Sequence, residues 1–253
     1  MNPPMPPRHL KVEPLPWENF LKWFGPRWEP GQHISVVAPT GAGKTTLVAQ
    51  LLGLRRYCLA VDPKGGDSNL GALGWPRLDV WPGDRKLAAQ VAKADEQGLP
   101  SRYLVGPIVR RHQDHDELRE TIRQALDGAF NMGGWTVYVD ELQLATDQRL
   151  MNLRTQADRL LIAARDKGLS FVSAYQSPSW VTPQAMRQAT WCFVSYTRDR
   201  DAIDKLAAGL GRPAAEMRGA IAGLDPFTWI VIGRDPRSPV MVTKPPEMKK
   251  SEG

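Results

Sequence analysis

Short apolar runs alternate along most of this chain with segments in which apolar residues recur every three or four positions. The runs are typical of buried strands, and the recurring spacing is typical of amphipathic helices. Strands are predicted at residues 34–38, 57–64, 102–109, 135–141, 169–176, 191–197 and 227–234, with an edge strand at 240–243. Helices are predicted at residues 44–54, 114–130, 149–167, 183–189 and 201–210. This alternation predicts an α/β fold with a mostly parallel sheet and helices on both faces.

Residues 1–30 differ from the rest because they are rich in proline, which lacks a backbone donor and favours an extended chain. They are predicted to form an N-terminal arm that contains one short amphipathic helix. The apolar face of that helix consists of Trp17, Phe20, Leu21 and Phe24. The helix packs either on the core of the domain or against another subunit. The chain is thus divided into this arm, one domain at 31–243 and a disordered basic tail at 244–253.

Composition and charge restrict the class of protein further. The 253 residues carry a formal net charge of +6 and include two cysteines, Cys58 and Cys192. Both cysteines lie in apolar strands without metal-ligand spacing, which predicts reduced core residues. No apolar run reaches the about 20 residues of a membrane-spanning helix, and no signal pattern opens the chain. We therefore expect a cytoplasmic protein without a membrane segment, whose positive charge is compatible with a polyanionic partner.

A phosphate-binding pattern occupies the junction of the predicted strand at 34–38 with the helix that follows. Residues 38–45 read APTGAGKT, against the phosphate-loop pattern G-x-x-x-x-G-K-[ST], with Ala38 in place of the first glycine. The glycines allow a tight loop of inward-pointing N–H groups, and the helix N-terminus favours anions. Lys44 can reach the β- and γ-phosphates, and the Thr45 hydroxyl can bind Mg²⁺. The predicted nucleotide-binding residues are Pro39, Thr40, Gly41, Ala42, Gly43, Lys44, Thr45 and Thr46.

Two carboxylates follow the predicted strand at 135–141. Ligands of open parallel sheets bind at the carboxyl ends of the strands, so Asp140 and Glu141 are expected to lie beside the phosphate loop. Asp140 would hold Mg²⁺ together with Thr45. Glu141 would orient or deprotonate an attacking water, a role worth about 10²–10⁴-fold in rate. The alternative is that the pair only caps the next helix.

An amide ends the next predicted strand along the chain. Gln176 closes the apolar run at 169–176, and such a strand often lies next to the phosphate loop in a doubly wound sheet. An amide at this position can hydrogen-bond the γ-phosphate and the attacking water. Taken alone, a glutamine at a strand end is more often a turn residue. Together with the two preceding motifs, it is predicted to be catalytic.

These motifs occur in an order that resembles the FtsK/HerA superfamily of P-loop ATPases. The stretches APTGAGKTT, LAVDPKGGD, VYVDELQ and ARDKGLSFVSAYQSPS carry the resemblance, which covers roughly residues 34–233. The superfamily includes chromosome translocases, conjugative coupling proteins and viral DNA-packaging ATPases. The resemblance implies a RecA-like core, ATP and Mg²⁺ as cofactors, and a homo-oligomeric ring of six or five subunits. Double-stranded DNA would pass through the pore of that ring.

The resemblance also implies an arginine that reaches the active site of a neighbouring subunit. Such a residue is worth about 10³–10⁵ in rate. Arg187 is the nearest match to its position in the superfamily, and Arg165 and Arg198 are the alternatives. The predicted catalytic residues are therefore Lys44, Glu141, Gln176 and Arg187. DNA contacts are expected from the loops at 62–71 and 147–156, which offer backbone donors and basic residues.

The function predicted from these features is ATP-driven translocation of double-stranded DNA by a packaging or transfer ATPase of a phage or mobile element. A portal or capsid protein, or a transfer channel, would be the docking partner, and a viral protein would act in the host cytoplasm. One alternative is a filamentous-phage assembly ATPase of the zonula-occludens-toxin type. The other alternative is a nucleotide-switched scaffold with little turnover, which would have little need of Glu141.

Overall fold

The computed structural model of the chain describes residues 11–64, 68–106 and 115–247, and these form one ten-stranded sheet with helices packed against it. The strands are β1 Val12–Pro14, β2 His33–Val37, β3 Tyr57–Val61, β4 Arg77–Leu78, β5 Ser101–Val105, β6 Thr136–Val139, β7 Ser170–Tyr175, β8 Ala189–Ser195, β9 Trp229–Gly233 and β10 Val240–Thr243. The helices are α1 Trp17–Phe24, α2 Lys44–Leu52, α3 Ser68–Gly71, α4 Asp84–Glu96, α5 His115–Met132, α6 Leu142–Thr146, α7 Arg154–Ala163, α8 Pro183–Arg187, α9 Arg200–Leu210 and α10 Ala214–Ala222.

The strand order places β2 in the middle of the sheet. Neighbouring strands follow the order β1-β10-β9-β8-β2-β7-β6-β3-β5-β4, and every pairing is parallel except those of β9 with β8 and β10. All five residues of β2 are buried, as parallel strands covered on both faces require. The predicted mostly parallel α/β sheet is therefore confirmed. Because β8, β2, β7, β6 and β3 run in one direction, their carboxyl ends share one edge of the sheet.

Two apolar cores lie on the two faces of the sheet. On one face, α1 and α2 pack against side chains such as Ile34 and Phe193. On the other face, α5, α7, α9 and α10 cover side chains such as Val37 and Phe171. Alternate residues of one strand, Val36 and Val37, belong to different cores, which follows from the two-residue period of a strand. The expectation of helices on both faces is confirmed.

The helix of the predicted N-terminal arm lies in the core of the domain. Phe20 of α1 is fully buried, stacks on Phe24 with ring centroids 5.2 Å apart and meets the edge of Phe193 at 5.9 Å. Val12–Pro14 extends the sheet by pairing with β10, an edge position that a proline tolerates. The described part of the arm therefore packs with the domain instead of projecting from it.

Several boundaries differ from the sequence prediction. The hydrophobic pattern did not predict α4 or α10. Helix α4 buries one apolar residue and α10 buries two, so neither produces a clear helical periodicity in the sequence. The helix predicted at 149–167 begins only at Arg154, after Asn152 adopts a φ of 49°. The strand at 240–243 is not an edge strand, because β1 pairs with it.

The basic tail predicted at 244–253 falls largely outside the described residues. Of its described part, Pro246 accepts a hydrogen bond from the Gln50 side chain at 2.8 Å. Within the part of the chain that the structure describes, no helix combines the length and apolar character needed to cross a bilayer.

Replacing Phe20 by alanine is expected to lower the free energy of unfolding by about 3–5 kcal/mol, because a fully buried aromatic ring leaves a cavity. Lys22→Ala, on the exposed face of the same helix, is the matched control and should change it by less than about 0.5 kcal/mol. Urea unfolding of both variants measures the difference. Equal losses for the two variants would contradict the packing of α1 in the core.

Candidate active site

The loop that joins β2 to α2 has the backbone of an anion-binding cradle. Gly41 and Gly43 adopt left-handed conformations with φ of 81° and 85°, which favour glycine, and Gly43 immediately precedes α2. The free N–H groups of a helix N-terminus and its positive dipole end attract phosphate. Ala38, in place of the first glycine of the pattern, does not adopt a positive φ, so alanine fits there.

Lys44, the first residue of α2, lies in this cradle with only 8% of its surface exposed. Its Nζ donates hydrogen bonds to the carbonyl oxygens of Ala38, at 2.8 Å, and Pro39, at 3.0 Å. Burial lowers the pKa of Lys44, while the charges of Asp140 and Glu141 oppose that lowering. The lysine therefore lies close enough to both carboxylates to interact with them electrostatically.

Asp140 follows β6 and is fixed in place from two sides. Its backbone N–H donates to the carbonyl of Val61 at 3.0 Å, which extends the pairing of β6 with β3 by one residue. Its Oδ1 accepts a hydrogen bond from the Tyr138 hydroxyl at 2.6 Å, and both side chains are buried. A charge-assisted hydrogen bond of this kind orients the carboxylate firmly.

Glu141 adopts a left-handed backbone and forms an ion pair that the sequence did not predict. Its φ is 47°, an uncommon conformation for a residue other than glycine and one that often marks functional sites. Its Oε1 lies 2.5 Å from Nζ of Lys64, which follows β3, the strand beside β6. The Lys64 side chain is more than half exposed, whereas that of Glu141 is mostly buried. The pair therefore links two neighbouring strand ends at the surface of the site.

Gln176 lies between the loop and the carboxylates. It follows β7, which pairs with β2 on one side and with β6 on the other. Tyr175, the residue before it, is in register with Val37. Its backbone carbonyl oxygen accepts a hydrogen bond from the N–H of Ala38 at 3.3 Å. The structure thus brings Lys44, Asp140, Glu141 and Gln176 to one edge of the sheet; their catalytic roles stay predictions.

Two of the three candidate arginines lie near the amino ends of the strands, and the third lies near the carboxyl ends, where the loop is. Arg187 ends α8 two residues before β8 begins, and its side chain is exposed. Arg165 lies near the amino end of β2, where burial and, to a smaller extent, this arginine lower the pKa of His33 to about 4. Arg198 follows the carboxyl end of β8 and lines a cavity together with residues 39–42 of the same chain. Arg198 therefore lies beside the loop of its own chain, and which of the three arginines acts in trans stays a prediction.

The sequence did not predict that three residues lie at the active site: Lys64, which was expected only in a DNA-contacting loop, Tyr138 and Phe227. The signal for Tyr138 was its position two residues before Asp140, because residues two apart on a strand share a face. Lys64 stood inside the DPKGGD stretch, directly after a strand, but its partner Glu141 is remote in sequence. Phe227 fell within a predicted strand, whereas β9 begins only at Trp229.

No protein-family model matches the chain, and no curated protein sequence matches it. Solved structures do match, among them B204, the DNA-packaging ATPase from Sulfolobus turreted icosahedral virus, at 15% identity with a TM-score of 0.60. The match covers 87% of this chain and 100% of B204. VirB4 of Thermoanaerobacter pseudethanolicus matches at 11% identity with a TM-score of 0.57, over 85% of this chain and 89% of VirB4.

A third likeness adds a structure that holds a nucleotide analogue. B204 from Sulfolobus turreted icosahedral virus 2, in complex with AMPPCP, matches at 15% identity with a TM-score of 0.59, over 86% of this chain and 100% of that one. Likeness at these identities establishes the fold. The chain has the RecA-like P-loop fold that its sequence predicted.

Proposed function

We propose that this chain is an ATP-hydrolysing motor of the FtsK/HerA type that moves double-stranded DNA, as a packaging or transfer ATPase. The observation that carries the proposal is the buried Lys44 ammonium beside Asp140 and Glu141, at the end of the phosphate loop. The likeness to a viral DNA-packaging ATPase over nearly the whole chain supports the biological role.

The loop and its surroundings fit a nucleoside triphosphate with Mg²⁺. The left-handed glycines and the start of α2 offer backbone N–H groups, and Lys44 supplies a positive charge, which together match a triphosphate. The Thr45 hydroxyl and the Asp140 carboxylate are oxygen donors of the kind that Mg²⁺ prefers. Bound there, the ion would neutralise phosphate charge. ATP is the proposed nucleotide, and solved structures of B204 contain AMPPCP, ATP-γS and AMP.

Glu141 is the proposed base for the attacking water. Its Oε1 is held by Lys64, so the water either approaches Oε2 or displaces the lysine. Gln176, at the strand between the loop and Glu141, would hydrogen-bond the water or the γ-phosphate. The presence of Glu141 beside Lys44 favours turnover over a nucleotide-switched scaffold, because a pure switch has little use for a base.

A homo-oligomeric ring would complete this site. Arg187 is exposed and belongs to the amino-terminal side of β8, so it is available to a neighbouring subunit rather than to its own loop. We therefore keep Arg187 as the proposed trans arginine, with Arg165 and Arg198 as the alternatives. A filamentous-phage assembly ATPase would share the hydrolytic site but would not need duplex DNA.

DNA is the proposed cargo, contacted from the loops at 62–71 and 147–156. Residues 65–67 lie outside the described part of the first loop, and its Lys64 is engaged by Glu141. In the second loop Arg149 is exposed, while Arg154 pairs with Asp158 at 3.6 Å. A cytoplasmic location and a portal, capsid or transfer-channel partner complete the proposal.

Glu141→Gln is expected to lower ATP hydrolysis by about 10²–10⁴-fold, because an amide cannot accept the proton of water. ATP binding should persist in this variant. Lys44→Ala should lose both binding and hydrolysis. Calorimetric binding and phosphate release measure the two properties, with Glu96→Gln on exposed α4 as the matched control. Normal hydrolysis by Glu141→Gln would refute the proposed base.

Duplex DNA is expected to stimulate hydrolysis by the wild type, and the stimulation should fall steeply between about 50 mM and 200 mM salt because DNA contacts release counterions. Hydrolysis is measured with and without duplex DNA across this range. Lys44→Ala, which should stay inactive with DNA, is the control for contaminating ATPases. Equal rates of hydrolysis with and without duplex DNA at low salt would instead favour the phage-assembly alternative.

Mixing Lys44→Ala subunits with Arg187→Ala subunits is expected to restore part of the hydrolysis that each variant lacks alone. Each mixed interface can combine an intact loop from one subunit with an intact arginine from the other. Arg85→Ala, an exposed arginine of α4, is the matched control and should be active alone. Two inactive variants whose mixture stays inactive would exclude Arg187 as the trans arginine.

A further inference from the structure

Trp180 differs from the other tryptophans of this chain in its exposure to solvent. All nine tryptophans lie within the described residues, and the other eight are buried or partly buried, whereas 60% of Trp180 is exposed. Trp180 lies in the segment that leaves the carboxyl end of β7, shortly after Gln176. Exposed tryptophan contributes little to a core, and this residue type is enriched where proteins meet their partners.

The segment that presents this ring is fixed at both ends. The backbone carbonyl of Ser177 accepts the N–H of Trp180 at 3.1 Å, and the Ser177 hydroxyl accepts the N–H of Ser179 at 3.3 Å. Beyond the ring, the Thr182 hydroxyl accepts the N–H of Gln184 at 3.3 Å and caps α8. The ring therefore projects from an ordered turn, and a partner would not have to order a loose loop before binding it.

Two cavities adjoin this turn on the surface. One, of about 220 Å³, is lined by Trp180 and by residues of the loop at 147–156, among them Asp147 and Arg154. The other, of about 440 Å³, shares Ser179 and Val181 with the first. Trp180 is thus continuous with the second loop from which DNA contacts are proposed.

The charges around Trp180 are mostly positive. Arg154 lines the smaller cavity, and Lys205 and Arg187 line the larger one. Among the described lining residues of the two cavities, Asp147 is the one carboxylate. An aromatic ring surrounded by an excess of cations suits a polyanion better than an acidic or neutral ligand.

Two of these cations are available to a phosphate. Lys205 Nζ donates to the Ser179 hydroxyl at 2.7 Å, a neutral partner that leaves further N–H groups of the ammonium for other acceptors. The Arg154 side chain is 56% exposed, and its Nε lies 3.6 Å from the Asp158 carboxylate. An exposed ion pair of this length contributes little, so a phosphate can compete with Asp158 for the guanidinium.

We infer that Trp180, Arg154 and Lys205 contact the backbone of duplex DNA, as a third element beside the two loops already proposed. The inference rests on the proposed function, because it assigns a further contact to the same cargo. The cations would donate to phosphates, and the ring would pack on the adjoining sugars. Such contacts position a duplex without reading its sequence. The loops at 62–71 and 147–156 contain no aromatic residue, and Trp180 supplies one.

The test measures binding of a labelled duplex from about 50 mM to 200 mM salt, with Mg²⁺ and a non-hydrolysable ATP analogue present. Trp180→Ala is expected to bind about tenfold more weakly at every salt concentration, because the packing of a ring releases no counterions. Trp180→Phe keeps an aromatic face and should recover most of the affinity. Lys205→Ala should also reduce the slope of log affinity against log salt by about one.

Matched variants on other parts of the surface control for general effects. Leu99→Ala truncates an exposed apolar side chain ahead of β5, and Lys93→Ala removes an exposed cation of α4. Both should bind the duplex as the wild type does. Hydrolysis without DNA should be unchanged in Trp180→Ala, which shows that its fold and its nucleotide site are intact.

Tryptophan fluorescence reports on the contact directly. Acrylamide is expected to quench the exposed Trp180 indole of the free protein, and a saturating duplex should protect it. Trp180→Phe should lose the fraction of the emission that the duplex protects. Protection that persists in Trp180→Phe would come from another tryptophan and would contradict the inference.

The other outcomes separate this inference from the proposed function. Wild-type DNA affinity in Trp180→Ala would overturn the inference and leave the DNA to the two loops. Equal weakening by Leu99→Ala would also overturn it, because the loss would not be specific to this surface. A wild type that hydrolyses ATP but binds no duplex at low salt would refute DNA as the cargo, and this contact with it.

Discussion

The Lys44 ammonium is a positive charge held almost entirely out of water, and the site is arranged around it. A buried charge is costly unless other groups compensate it, and here the carbonyls of Ala38 and Pro39 and the nearby carboxylates do so. The left-handed glycines shape the loop that supplies these carbonyls. The parallel sheet brings Asp140 to the same edge. A ligand rich in negative charge is what this arrangement suits best.

The strand order places different groups of side chains on the two sides of β2. Toward β7, β6 and β3 lie the groups suited to hydrolysis, among them Asp140 with its Tyr138 partner and Glu141 paired with Lys64. Toward β8 and β9 lies a cavity that residues 39–42 of the loop line together with Arg198 and Phe227. A single nucleotide lying across the end of β2 would connect the two sides. The groups of the proposed mechanism are therefore arranged around the carboxyl end of the central strand β2.

The sequence was informative where the chemistry is local and less so where contacts join distant segments. The loop needs two glycines and a lysine within one short stretch, so its position and the α/β fold could be predicted. Asp140 could be placed at a strand exit because the run before it, WTVYV, is mostly apolar. The Lys64–Glu141 pair joins two strand ends far apart in sequence, and no local pattern encodes it. Helices α4 and α10 were missed because they bury few apolar residues, and helical periodicity is then weak.

The central claim is that a nucleoside triphosphate binds across the end of β2 and that the phosphate loop holds its phosphates. An experimental structure with Mg²⁺ and a non-hydrolysable ATP analogue tests it most directly. The account predicts that the Lys44 ammonium contacts the phosphates and that the terminal phosphate lies on the side of Glu141. A triphosphate bound elsewhere, or bound in this loop with its ends reversed, would contradict the account.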